Sequence, residues 1–161
     1  MLAKTARSKA LLSAAIASLI STMSAQAADQ IWTNGGGDSQ WNTTSINWGS
    51  VAWNNGPFNG AVFDLTGIAT ISVTEPINTN SLDFRIDGYA LTGSSTINIG
   101  AGSSTLGNGI IKVAPGLPTY ISAPISSTGG LLKTGAGTLV LSGPFSNTGG
   151  GINLTLTPGV L

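Results

Sequence analysis

Neither cysteine nor histidine occurs anywhere in this 161-residue sequence. Their absence excludes a thiol nucleophile, a Ser-His pair, a zinc site of the usual nitrogen or sulfur kind, and any disulfide framework. Charge is nearly as scarce: Lys plus Arg number six, Asp plus Glu six, and the charged fraction is 7%. A nucleic-acid partner is excluded on that ground, because neutralising phosphates takes a basic stripe. No reaction is legible in such a chain, and neither a cofactor nor a metal is expected. What the sequence has in quantity is glycine, 23 in all, together with serine, threonine and asparagine.

The segment 1–27 reads as an export address and not as part of the fold. Lys4, Arg7 and Lys9 form a basic start, and the apolar run from Ala10 to Ile20 has the length of a secretory core but is too short to span a bilayer. Ala25-Gln26-Ala27 is an A-x-A pattern that predicts cleavage between Ala27 and Ala28. A cleaved signal helix over 1–27 is therefore expected. No second apolar stretch of spanning length follows, so the mature chain is expected to carry no membrane span.

Removing that address changes the balance. Residues 28–161 keep Arg85, Lys112 and Lys133 against Asp29, Asp38, Asp64, Glu75, Asp83 and Asp87, so three positive charges face six negative ones. All 23 Gly lie in this part. Gly, Ser, Thr and Asn are poor interior helix formers, and Gly and Asn tolerate the positive φ of tight turns, so a helical mature domain is not expected.

Between Asp29 and Asn59 lie all four tryptophans, Trp32, Trp41, Trp48 and Trp53, punctuated by Gly35-Gly36-Gly37, Gly49 and Asn55-Gly56-Pro57. This pattern predicts a terminal element with a small core of its own over 28–60. Beyond it come short runs bounded by Gly, Pro, Asn or Ser: 61–65, 69–74, 81–86, 89–92, 96–99, 110–113, 119–122, 131–133, 138–142 and 152–157. Leu82, Phe84 and Ile86 alternate with Asp83, Arg85 and Asp87, a clear period of two. Strands this short, with few charges and small polar residues outward, favour a right-handed parallel β-helix over a sandwich or barrel. At roughly 20 residues per coil the mature length allows about five or six coils. The stretch from Gly93 to Gly109, rich in Gly and Ser, is expected to be poorly ordered.

The run Gly129-Gly130-Leu131-Leu132-Lys133-Thr134-Gly135-Ala136-Gly137-Thr138-Leu139-Val140-Leu141-Ser142-Gly143 resembles the autotransporter-associated β-strand repeat. The lead-in Ile121 to Ile125, the Trp-rich opening and Ala61-Val62-Phe63-Asp64 are similar to what such passengers carry elsewhere. In a β-solenoid this unit would turn at its glycines, point Leu131, Leu139 and Leu141 inward, and leave Lys133 near a solvated corner. The resemblance breaks down after Gly143, where Pro144 to Gly151 replace the usual continuation, so the repeat is assigned to 119–151. The family implies a C-terminal outer-membrane barrel that these residues do not include. The pattern change and the end at Leu161 raise the expectation of a truncated or frameshifted passenger.

Three motifs invite a sharper reading. Asp83, Arg85 and Asp87 could imitate the acid cluster of a β-helical polysaccharide lyase or hydrolase, but a strand face laced with local ion pairs is the favoured reading. Gly35-Gly36-Gly37-Asp38 resembles a fragment of a calcium β-roll, yet occurs once, and reads as a turn. The tryptophans could form a glycan-stacking platform, with Trp41 and Trp48 the candidate surface contacts, or a cap that fills the open mouth of a solenoid core. The expectation is thus a solenoid, 61–161, capped by 28–60, serving as a non-catalytic exported stalk or presentation surface. Surface glycans or other copies of the solenoid are the expected partners. An adhesin using the Trp-rich region is the alternative.

Overall fold

The computed structural model describes residues 28–56, 58–67, 70–86, 88–100, 109–116, 118–147 and 154–156. Residues 1–27, over which a cleaved signal helix is expected and which include Ala27, lie outside them, as does Asp87. The described chain is built of fifteen short strands and, among the described residues, contains no helix. In chain order they are β1 (Gln30–Trp32) and β2 (Gln40–Trp41); β3 (Gly60–Phe63), β4 (Thr70–Val73) and β5 (Ile77–Thr79); β6 (Ser81–Phe84), β7 (Ala90–Thr92) and β8 (Ile97–Ile99). They continue as β9 (Gly109–Val113), β10 (Thr119–Ile121) and β11 (Ile125–Ser127); β12 (Leu131–Thr134), β13 (Leu139–Leu141) and β14 (Phe145–Asn147); and β15 (Leu154–Leu156).

Every strand pairs in parallel with the strand one turn of chain away, which makes the molecule a parallel β-helix of three sheets. The first sheet runs β1-β3-β6-β9-β12-β15, the second β2-β4-β7-β10-β13 and the third β5-β8-β11-β14. Coil length is regular where nothing is inserted: Ile77 aligns with Ile97, and Ile125 with Phe145, across steps of equal length. Two steps are longer. Gln30 aligns with Ala61, because residues 43–59 intervene, and Ile97 aligns with Ile125.

The register stacks like on like. Trp32, Phe63, Phe84 and Val113 form one inward row of the first sheet, and Ala61, Leu82, Ile111 and Lys133 form the next. Ile71, Leu91, Ile121 and Leu141 align in the second sheet, and Ile77, Ile97, Ile125 and Phe145 in the third. No single coil can bury these side chains by itself; each row becomes a core only by stacking, so stability resides in the interfaces between coils. Tyr89 joins the same core, and its buried hydroxyl donates to Leu65 O at 2.7 Å and accepts from Leu65 N at 2.8 Å. Burial pushes the Tyr89 phenol up from its ordinary value, so it stays protonated and able to donate.

Several expectations change. Lys133, assigned to a solvated corner, is 1% exposed and takes the inward place of Ile111 and Leu82 in its row. Its aliphatic stem supplies the apolar contact, while its ammonium donates to Gly135 O at 3.0 Å, so the charge is carried to the turn where the chain leaves the sheet. Lys133→Met, which keeps the stem, is expected to melt within a few degrees of the parent or above it. Lys133→Ala, which empties the row, is expected to lose about 2–4 kcal/mol by chemical denaturation.

Leu141 faces inward as expected but is 37% exposed, because β13 is the last strand of its sheet among the described residues. The pattern break after Gly143 is not a break in the fold. Phe145, Ser146 and Asn147 form β14 and align with Ile125, Ser126 and Ser127. Pro144 there occupies the place of Pro124, and both prolines, which lack an N–H, use their carbonyls to accept from Ile125 N and Ile97 N respectively. Within the stretch expected to be poorly ordered, residues 97–99 form β8; residues 101–108 lie outside the described residues.

Candidate functional site

A stack of parallel coils ends in unpaired strand edges and an open core, and the chain's densest chemistry lies at its N-terminal end. All four tryptophans are buried there: Trp32 1% exposed, Trp41 0%, Trp48 1% and Trp53 2%. Trp48 is the hub, with ring centroids 4.6 Å from Trp53, 4.9 Å from Trp41, 5.2 Å from Trp32 and 5.6 Å from Phe63. Trp32 meets Trp48 edge to face and Trp41 meets Trp53 likewise, geometries that put a positive ring edge on a negative ring face. Phe63 stacks on Phe84 at 4.6 Å and carries the aromatic column into the next coil.

The inserted residues 43–59 bring Trp48 and Trp53 to this position and cover the strand edges in doing so. Trp48 pairs with both Trp32 and Val51 in antiparallel bridges, and Thr33 N donates to Asn47 O at 2.8 Å, which occupies the outer edge of β1. Gln30 holds the same segment with its side-chain amide, donating to Ala52 O at 3.3 Å and accepting from Asn54 N at 2.8 Å. The edge of β5 is covered by side chains. Asn55 Oδ1 accepts from Asn78 N at 2.6 Å, Asn55 Nδ2 donates to Pro76 O at 3.1 Å, and Trp53 Nε1 donates to Asn78 O at 3.3 Å. Groups that would otherwise recruit another strand are thereby occupied.

A polar knot holds the loop from Asn34 to Asn47 in shape. Buried Asn47 donates to Gln40 O at 2.8 Å and to Asp38 Oδ1 at 2.6 Å, and accepts from Gly36 N at 2.8 Å. Gly35-Gly36-Gly37-Asp38 is a turn, as read, and Asp38 is the carboxylate that organises it. The Ser45 hydroxyl, then Asn47 and the Gln40 amide, hold the Asp38 carboxyl below the usual carboxylate range.

The other singled-out residues lie on the flanks. Asp83 and Arg85 point outward from the first sheet, Arg85 Nε donating to Asp83 at 3.0 Å. Lys112, in register with Asp83, lies 3.6 Å from it, and Asp64 lies 3.7 Å from Arg85. Acids and bases alternate across coils, the arrangement of a strand-face ion-pair ladder and not of two acids flanking a bond to be cleaved. The outward row of the third sheet is polar: Asn78, Asn98, Ser126 and Ser146 align, with Asn98 Nδ2 donating to Asn78 Oδ1 at 3.1 Å. Ala28, on the far side of the expected cleavage point, donates its N–H to Asn59 Oδ1 at 3.4 Å.

Trp41 and Trp48 therefore present no ring face to a ligand. A platform for sugar needs an open aromatic face, and both rings are sealed by other rings. The aromatic residues most open to solvent among the described residues are Tyr120 on β10 and Phe58, each about half exposed. Sequence reasoning passed over Tyr120; its place in Thr119-Tyr120-Ile121, with inward residues on both sides, is the signal that marks it as outward.

No protein-family model and no solved structure matches the chain. The chain is similar to the adhesin BmaC autotransporter of Brucella suis biovar 1 (strain 1330), 36% identical over 165 residues. That match takes in 93% of this chain and 4% of the relative, so the chain spans only a small part of the relative's length.

Proposed function

We propose, for a chain related to the autotransporter adhesins as its repeat had suggested, that it is a non-catalytic passenger segment displayed outside the cell, a stiff β-solenoid whose N-terminal end is sealed by the tryptophan cap. The observation that carries this reading is the cap itself. Four buried indoles close the core while Asn55, Gln30 and Trp53 occupy the edges of β1 and β5, which is what a terminal coil needs to remain soluble and unpaired. The absence of His and Cys and the alternating charges of Asp83, Arg85 and Lys112 support a scaffold and not a reaction centre. Export would use residues 1–27, and the N-terminus of the processed protein would be Ala28.

The word adhesin in the relative's name supports a second reading, contact of the flank with a host surface or its glycans. With Trp41 and Trp48 enclosed, such contact would use outward side chains, Tyr120 first among them. One experiment separates the two. Purified protein and its Tyr120→Ala variant are tested for adhesion to immobilised glycans and matrix proteins, with thermal unfolding in parallel. Binding that falls at least tenfold in the variant at unchanged melting temperature supports the adhesin. Resistance to proteases with no binding above background supports the scaffold, and turnover of any polysaccharide would refute both.

A further inference from the structure

β2 is, among the described residues, the outermost strand of its sheet at the N-terminal end, and side chains take up the two groups of Gln40 that turn away from β4. Gln40 N donates to Asp38 Oδ1 at 3.0 Å, and Gln40 O accepts from Asn47 Nδ2 at 2.8 Å. The carbonyls on either side serve the next coil instead, Ser39 O and Trp41 O accepting from Ser72 N and Thr74 N. Asn47 covers β1 as well, because its carbonyl accepts from Thr33 N at 2.8 Å and Asn34 N at 3.2 Å, and the next residue is the hub Trp48. Asp38 Oδ1 fixes the Asn47 amide by accepting from Nδ2 at 2.6 Å, while Asp38 Oδ2 accepts from Ser45 Oγ at 2.6 Å. Three donors therefore meet one carboxyl group. The ionised form accepts from all of them; the acid form has a hydrogen of its own to place, and among these partners only the Ser45 hydroxyl can turn to receive it.

We propose that Asp38 is an acid-sensitive latch on the cap: while its carboxyl is ionised Asn47 holds the edges of β1 and β2 closed, and protonation frees Asn47 and lets the cap open locally. None of the groups that face Asp38 shares the titration. Ser45 and Asn47 from the insertion and Gln40 from β2 are neutral, and among the described residues no cation forms an ion pair with it. The other carboxylate that holds the insertion, Glu75, accepts from Thr43 N and lies on the chain beyond β4. The hydrogen bonds, led by that from Ser45, hold the folded carboxyl below its unfolded value. The latch is therefore fully closed above about pH 4 and releases as the pH falls through the lower, folded value.

The test follows the tryptophan emission of the purified protein on acidification from neutral pH, together with amide hydrogen exchange expressed as protection relative to the unfolded rate at each pH. Thr33 and Gln40 are expected to lose protection at least tenfold at the acid end, and the emission to move to longer wavelength. Ile97 and Ile125, whose acceptors are Pro124 O and Pro144 O in the third sheet, are expected to keep their protection. Asp38→Asn is expected to show the open values already at neutral pH with no further acid step, and Glu75→Gln to keep the step of the parent. If Asp38→Asn does not fold, Ser45→Ala carries the test: it removes the bond that contributes most to holding the carboxyl down, so the step moves to higher pH. The proposal is overturned if the parent shows no step, if all amides lose protection together, if Asp38→Asn keeps the step, if Glu75→Gln abolishes it, or if Ser45→Ala leaves it unmoved.

Discussion

Trp48→Ala is expected to lower the stability of the protein by about 3–5 kcal/mol and its melting temperature by on the order of 10 °C. The size of the effect follows from position. Trp48 touches Trp32, Trp41, Trp53 and Phe63, so its removal leaves a cavity bounded by four rings that have no smaller arrangement in which to close. Its backbone also pairs with Trp32 and Val51, and loosening it loosens the cover over β1. The measurement is thermal unfolding followed by far-ultraviolet circular dichroism. Had Trp48 been a ligand platform, the same variant would lose binding at an unchanged melting temperature.

Gly135→Ala is expected to cost about 3 kcal/mol, against about 1 kcal/mol for Gly67→Ala. Both glycines have positive φ, 77° and 82°, and both therefore strain an L-residue. They differ in what surrounds them. A Cβ at Gly67 meets nothing within 4 Å, whereas at Gly135 it would be driven into the carbonyl oxygen of Val113 in the coil below. The same clash with Val73 awaits a Cβ at Gly93, one register step past Thr92 as Gly135 is one past Thr134. The corner thus recurs in two sheets: at Gly93 and at Gly135 the chain turns off a strand so close over the coil beneath that a Cβ would meet its backbone. Equal losses at Gly67 and Gly135 in urea titrations would show that conformation alone, and not coil packing, sets the requirement.

Alternation is plainest in strands with two inward apolar residues. Leu82 and Phe84, Ile97 and Ile99, and Ile111 and Val113 announce β6, β8 and β9 in the sequence itself. The rest of the third sheet is not legible by that criterion. In β5, β11 and β14 a single apolar residue is followed by small polar ones, INT, ISS and FSN, and Thr79 and Ser127 take inward places that an alternation test reads as solvent-facing. Their inward hydroxyls bond the backbone, Thr79 to Asn59 O at 2.9 Å and Ser127 to Gly130 O at 2.6 Å, which makes a polar residue admissible in the core. The usable signal is proline: Pro76, Pro124 and Pro144 each stand immediately before one of these strands. Lys133 escaped for a related reason. Its charge marks it as outward, whereas the row it belongs to, and the nearby Gly135 carbonyl, draw it inward.

For the site, the sequence disclosed the tryptophans as a group but not their orientation. Composition cannot distinguish a ring stacked on a sugar from a ring stacked on another ring. That distinction rests on residues 43–59 folding back across the first coil, and what holds them there is a set of backbone and amide bonds from Gln30, Asn47 and Asn55, which leave no hydrophobic pattern to read.

Stacking in register is the premise of every statement above, and a chain without native cysteine allows it to be tested cleanly. Asn78→Cys and Asn98→Cys introduced together place two outward thiols directly opposite each other on β5 and β8. Adjacent parallel strands lie about 4.8 Å apart, within the span a disulfide accepts. Asn78→Cys with Ser126→Cys places the thiols two coils apart, at roughly twice that spacing, beyond reach. Under mild oxidation, followed by peptide mapping without reduction, the account predicts an intramolecular 78–98 bond in the first variant and none in the second. A bond between 78 and 126, or two free thiols in the 78/98 variant, would contradict the stacked solenoid.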